Sequence, residues 1–301
     1  MLGAGGVGGF LAALLAEARH DVTVLLRPAT HAVFPDRLLL ESPFGRFTPL
    51  VEKATELTAD VDVLWITVKA TQLDAAIASV PDVRRAGAVV PLLNGIDHIA
   101  MLRARCGAER LVPATIGIES ERVAPGHFVH RSPFATLRWS AIGESRLAAA
   151  ATALTAFGCR CEVNTDEVTM LWRKLVMLGP LALTTTSADV PLGDVMSNGA
   201  WRATLEAAVA EACEVAAASG AQVDVAETLR LLRGMPPTMR SSMQKDVAAG
   251  TPPELDAIAG PILRGAARHG LGVPVTAELA RSVEARAGAS PKVPQGPADR
   301  S

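Results

Sequence analysis

The chain opens on "MLGAGGVGGFLAALLAEARHDVTVLLRP", and the glycines at 3, 5 and 8 restrict what can follow them. In a G-x-G-x-x-G turn the first glycine permits a tight bend and the second lets a phosphate approach the backbone. The third lets the helix after the turn pack closely on the strand before it. "GGFLAALLAEAR" is rich in Ala and Leu, has no interior proline, and reads as that helix. "HDVTVLLR" then reads as a buried strand of the parallel type. The opening is therefore turn, helix, strand: a βαβ unit with most of its first strand missing. Only Met1 and Leu2 precede Gly3, where a strand of roughly 5–6 residues is usual. That strand is central and buried in a Rossmann sheet, so the expectation is an apolar strand directly upstream of Leu2.

The same alternation continues. "VDVLWITVK" and "AGAVVPLLNG" read as buried strands, with the helical "ATQLDAAIASV" between them. "ERLVPATIGIES" and "HFVHRSPFATLRWSAIG" read as later strands, the second as a candidate hairpin. "ESRLAAAATALTAFG" reads as a helix and "CRCEVNTD" as a closing strand. Strands alternating with helices predict a doubly wound, mostly parallel α/β sheet over residues 1–165.

From Asp166 the period changes. "DEVTMLWRKLVMLGPLALTTTSA" predicts a long helix with Asp166 as N-cap and Pro180 as a kink. "NGAWRATLEAAVAEACEVAAASG" predicts a second, ending at Gly220. "DVAETLRLLRGM" and "PPELDAIAGPILRGAARHG" add two more, giving an all-helical domain over 166–287. The Pro/Gly/Ser-rich 288–301 reads as a disordered tail.

Composition narrows the partners. A formal net charge of −2 gives no electrostatic reason to expect nucleic acid or an anionic membrane. No apolar run reaches the roughly 20 residues that span a bilayer, and the N-terminus lacks a signal-peptide pattern, so cytoplasm is the default expectation. Cys106, Cys159, Cys161 and Cys213 are too scattered for a disulfide scaffold. Cys159 and Cys161 would share one face of a strand, as a metal or redox pair or, more simply, as two buried thiols. No metal site is expected.

The turn Gly3, Gly5, Gly6, Val7, Gly8 would hold a dinucleotide pyrophosphate on the helix N-terminus. An Asp or Glu at the end of the second strand would bind the ribose hydroxyl of NAD, but this chain has Leu25-Leu26-Arg27-Pro28 there. The planar donor fork of Arg27 suits a 2′-phosphate and predicts NADP(H); the plainer reading is a solvated strand-end arginine.

With these segments on the page, the chain resembles the 2-dehydropantoate 2-reductase (ketopantoate reductase) family. "GAGGVGG…LAEARHDVTVLLR", "ITVKATQ", "LLNGID", "LWRKL" and "SSMQKDVAAGTPPELDAIAG" carry the resemblance, in the family's order and over almost the whole chain. It implies reduction of a 2-keto acid by NADPH in the cytoplasm, on a Rossmann domain joined to a helical domain, with a step of pantothenate biosynthesis as the family's role. It implies that Lys174 protonates the carbonyl oxygen and that Glu254 is its acidic partner. Asn94 would lie near the nicotinamide and substrate, Lys69 would face the cofactor, and Ser242 would bind the substrate carboxylate. A homodimer is open.

Each residue also has a plainer reading: Lys174 a solvated charge on a helix, Glu254 an exposed first-turn residue, Ser242 a helix cap. The chain departs from the family at Leu178 and Ala182, four and eight residues after Lys174, and at Ala259 and Met239, where the resemblance implies asparagines. If those positions line the cleft, the substrate is less polar than ketopantoate or catalysis is impaired. Two alternatives stand beside the enzyme: a nucleotide-binding regulator of the same fold with little turnover, and an interaction protein whose nucleotide is structural.

Overall fold

The computed structural model describes residues 1–289, which fall into two compact units. Met1–Leu93 and Asp97–Leu171 form the first; Asn94–Ile96 join the chain from Trp172 onward in the second. The boundary lies a few residues after the 165/166 division expected from sequence.

In the first unit α1 (Gly6–Glu17) follows the glycine turn and leads to β1 (Thr23–Leu25) and the short α2 (Pro28–Val33). Then come β2 (Leu39–Ser42), β3 (Gly45–Phe47), β4 (Glu52–Ala54) and β5 (Val61–Ile66). After α3 (Leu73–Ile77), β6 (Ala86–Pro91) and α4 (His98–Cys106) come β7 (Ala114–Gly117), β8 (Ser120–Ala124), β9 (His127–His130) and β10 (Thr136–Ser140). The helix α5 (Ala148–Ala156) and strand β11 (Arg160–Asn164) close the unit.

The central sheet is parallel. β4 pairs with β1, β5 pairs with β6, and Leu2 bridges Leu25 on one side and Ile66 on the other. The two residues before Gly3 therefore occupy the central strand position. Leu2 N–H donates to Trp65 O (2.8 Å), Leu2 O accepts from Thr67 N–H (2.9 Å), and Met1 O accepts from Leu25 N–H (2.8 Å). The Met1 amine donates to Thr23 O at 2.7 Å, and burial pushes it down to about 5.

Sequence reading of one doubly wound sheet is too simple in the rest of the unit. β11, β10 and β7 form a three-stranded sheet, and β3, β2, β9 and β8 a four-stranded one, each mixing parallel and antiparallel pairs. The candidate hairpin over 127–143 does not form. β9 has both edges occupied by β2 and β8, and β10 by β7 and β11, so the two strands belong to different sheets. The core is continuous around α1, whose Phe10 to Leu15 are all buried.

The second unit is helical, as expected. Its longest element, α6 (Glu167–Ala188), is capped by Asp166, whose Oδ1 accepts Thr169 N–H at 2.9 Å, and it runs through Pro180 without a break. α7 (Leu192–Ser197), α8 (Gly199–Ala218), α9 (Val225–Arg233), α10 (Ser242–Ala248), α11 (Leu255–His269) and α12 (Pro274–Ala289) follow. The small residues Ala208, Ala212 and Ala216 on the buried face of α8 let it lie close to α11 and α12. Gly288 and Ala289 end α12; the remainder of the tail predicted over 288–301 lies outside the described residues. Among the described residues no helix is long and apolar enough to cross a membrane.

One carboxylate ties this unit together. Glu211 on α8 accepts Val275 N–H (2.9 Å), Thr276 N–H (2.8 Å) and the Thr276 hydroxyl (2.7 Å). These are orphan donors of the first turn of α12, and Pro274 ahead of them has none to satisfy. Thr276 is buried, so truncation strands its donors at a cost of about 1–3 kcal/mol. Glu211→Ala should lower the thermal midpoint of the helical unit, read by circular dichroism. An unchanged midpoint would show that water replaces the carboxylate.

Candidate active site

Within the first unit, the glycine turn is built as its spacing requires. Gly3 has φ +102°, a conformation that a side chain disfavours. A Cβ on Gly8 would stand 2.1 Å from Gly3 O and 2.4 Å from Thr67 Oγ1, so α1 can approach the turn only because Gly8 has no side chain. A Cβ on Gly5 would meet nothing within 4 Å. That open side, at the N-cap of α1, is where a phosphate can reach the free N–H groups and the positive end of the helix dipole. No acidic residue stands in the first turn to compete with it. The residues present thus fit a dinucleotide pyrophosphate.

The Thr67 hydroxyl, which the sequence reading passed over, donates to Gly3 O at 2.8 Å and fastens the turn to the end of β5. A hydroxyl residue at the C-terminal end of "LWIT" was the available signal. Val7 packs against the core, and Gly6 lies against β8. Arg27 is exposed two residues after the end of β1, as the N-cap of α2. Lys69 is half-buried at the C-terminal side of β5, before a single 3₁₀ turn.

The second unit brings three of the predicted residues together. Lys174 sits in α6 between buried Trp172 and Leu175. Burial pushes its ammonium down to about 8, while the Glu254 carboxylate acts in the opposite direction. Glu254 is the N-cap residue of α11 and only 7% exposed, which removes the plainer reading of an exposed first-turn side chain. Asn94 Nδ2 donates to Glu254 Oε2 at 3.0 Å. An amine close to neutrality, a buried carboxylate and an amide that orients it make an acid–base group able to give or take a proton at ordinary pH.

Ser242 is the exposed first residue of α10. Its neighbour Ser241 is the buried one, accepting Gln244 N–H at 3.2 Å and bonding the Thr185 hydroxyl at 3.0 Å. The apolar departures also divide. Leu178 is half-buried, whereas Ala182 and Ala259 are fully buried in a core with Met243, Ile258 and Leu279. An asparagine at either alanine would enter that core. Met239 packs half-buried against the other core of the helical unit.

Cys159, directly before β11, and Cys161 within it are chemically quiet. Burial first, and the neighbouring Cys161 second, push the Cys159 thiol up to about 12, leaving it protonated and a poor ligand or nucleophile.

Comparison with known proteins covers both units. Residues 1–142 match the family described as Ketopantoate reductase PanE/ApbA, and residues 167–287 its C-terminal counterpart. The 2-dehydropantoate 2-reductase of Caulobacter vibrioides is 33% identical over 301 aligned residues, covering 95% of this chain and 98% of that protein. The oxidoreductase YkpB of Bacillus subtilis is 30% identical over 285, covering 91% and 94%. Among solved structures, a PanE/ApbA family ketopantoate reductase from Ralstonia eutropha superposes with a TM-score of 0.86 at 24% identity, over 96% of this chain and 98% of that one. A D-mandelate dehydrogenase holding NADH and anilino(oxo)acetate has the same fold, with a TM-score of 0.85 at 20% identity over 96% and 97%.

Proposed function

The chain belongs to the ketopantoate reductase PanE/ApbA family of oxidoreductases, and from that premise we propose that it reduces a 2-keto acid with NADPH, preferring a substrate less polar than ketopantoate. The observation that carries the reading is the half-buried Lys174, near 8, beside a buried Glu254.

A reduced nicotinamide dinucleotide, whose pyrophosphate the Gly3–Gly8 turn would hold, would supply the hydride for the carbonyl carbon. The protein's own task is the oxygen. As the carbon accepts the electron pair, negative charge grows on the oxygen, and the Lys174 ammonium stabilises it and gives it a proton. Glu254 keeps a negative charge beside the ammonium, favouring the protonated form that burial opposes. Asn94 fixes one carboxylate oxygen through its amide. Ser242, exposed at the start of α10, and Lys69 are assigned to the substrate carboxylate and the cofactor on the family resemblance.

Protonation gives this mechanism a sign. Reduction requires Lys174 with its proton, so kcat for keto-acid reduction should decline as pH rises through about 8. Oxidation of the hydroxy acid needs the neutral amine and should gain over the same interval. Lys174→Ala should slow the chemical step by roughly 10²–10⁴-fold, the range for one positioned acid, with nucleotide affinity little changed. Unchanged single-turnover rates would remove Lys174 from the mechanism.

Arg27 sets the cofactor preference. Arg27→Ala should weaken NADPH binding much more than NADH binding, because only NADPH loses a charge-assisted pair with its phosphate. Isothermal titration with both nucleotides checks this; equal losses would leave Arg27 a surface charge.

At the substrate end, Leu178 offers no hydrogen bond where the family resemblance implies an amide. A site that bonds a hydroxyl can reject an analogue lacking it by about 10⁴-fold, whereas an apolar pocket rejects an added hydroxyl by only about 10²-fold. Nicotinamide absorbance over a panel of 2-keto acids should therefore show modest ketopantoate turnover and broad use of branched aliphatic substrates. Leu178→Asn should move the preference toward ketopantoate. Exclusive ketopantoate reduction by the unaltered protein would refute the apolar site. The apolar Leu178 also favours the second reading, a nucleotide-binding regulator, which would bind NADPH yet turn over no member of the panel.

A further inference from the structure

Three residues that follow β6, Asn94, Gly95 and Ile96, group with the helical unit rather than with the strand they leave. Ile96 packs against the core that contains Trp172 and Leu175, the neighbours of Lys174. Gly95 lies against the first turn of α11, directly beyond Glu254. Its φ is +80°, and a Cβ there would stand 2.1 Å from Ala257 O and 2.9 Å from Ala257 C. Both facts exclude a side chain: the backbone conformation is one that L residues rarely adopt, and the space is filled by another backbone. That carbonyl belongs to a helix and is not the end of a flexible side chain, so the neighbour cannot simply move aside.

We propose that Gly95 is a positioning residue for the acid–base group: its bare backbone seats the Asn94 loop on α11, so that the Asn94 amide can hold the Glu254 carboxylate beside Lys174. The proposal rests on the reading of Lys174 as the acid. It adds a residue that touches neither substrate nor cofactor and acts through its neighbour. The chain of effects is short. Any side chain at 95 lifts the loop from Ala257, the 3.0 Å bond from Asn94 Nδ2 to Glu254 Oε2 opens, and the carboxylate loses its fixed place. With Glu254 less well held, the ammonium loses part of the charge that opposes its desolvation, and its proton is released at lower pH.

The test is a double-mutant cycle on kcat with Gly95→Ala, Asn94→Ala and the pair. Each single variant should lower kcat at neutral pH by about 10- to 100-fold, the worth of a hydrogen bond to a charged group. Each should also shift the high-pH limb of the profile toward lower pH. The pair should be no worse than Asn94→Ala, because Gly95 acts through Asn94. Additive losses, or a high-pH limb that stays in place, overturn the proposal. If Gly95→Ala does not fold, an unmoved limb in Asn94→Ala overturns the proposal, because Gly95 acts only through that amide.

A failed reductase reading would show differently, as no turnover of any keto acid by the unaltered protein. Titration of the Lys174 side chain, followed by NMR in lysine-labelled protein, then still decides. A downward displacement in the variants supports the role of Gly95, and an unmoved titration refutes it.

Discussion

The first unit depends on how closely α1 can approach its neighbours on two sides. Toward the parallel sheet, Gly8 lies where a Cβ would strike Gly3 O. Toward the four-stranded sheet, a Cβ on Gly6 would stand 2.1 Å from Ser120 O. The Ser120 hydroxyl closes that second contact by donating to Gly6 O at 3.0 Å. A helix pinched between two sheets at backbone distance has little freedom to slide, and its Ala/Leu face fills the core between them. The same pinch leaves Gly5 facing open space. Packing and binding are one design here: the contacts that fix α1 also aim its N-terminus at the place where a phosphate would lie.

In the helical unit the governing constraint is electrostatic. A carboxylate that is only 7% exposed needs partners, and an amine whose proton affinity has been lowered by burial needs compensation. Asn94 and Glu254 meet because a short loop lies across the start of α11, while Lys174 is carried by the 22-residue α6. Helices hold side chains to closer tolerance than loops, which suits a proton donor that must act on one atom.

Much of this was legible in the chain. Asp166 caps α6 through an ordinary side-chain bond to the first turn, the chemistry that its sequence context advertises. At the far end of α8, Ala221 N–H bonds Ala216 O and Gly220 N–H bonds Ala217 O, the pattern that a glycine stop signals. The segment from 39 to 54 was harder to read. Its three strands are three or four residues long, and "GRF" and "EKA" are largely polar, so no periodicity could emerge. The hairpin expected at 127–143 failed for a different reason: local sequence proposes a strand, but competition among edges decides its partner.

The sequence by itself determined the glycine turn, the two-part organisation, and the identity of the residues able to carry a proton, because these follow from backbone geometry and side-chain chemistry at fixed spacing. Tertiary structure decided which of them act as charges in a shared environment. Glu254 follows two prolines and reads equally well as a solvated residue; only its burial against Asn94 distinguishes the two. Ser241 and Ser242 are chemically identical neighbours, and helix register alone buries the first and exposes the second. Ala182 and Ala259 look like openings in a cleft until packing places them in a core. Burial and proton affinity depend on what distant segments bring together, so they exist only once the chain has folded.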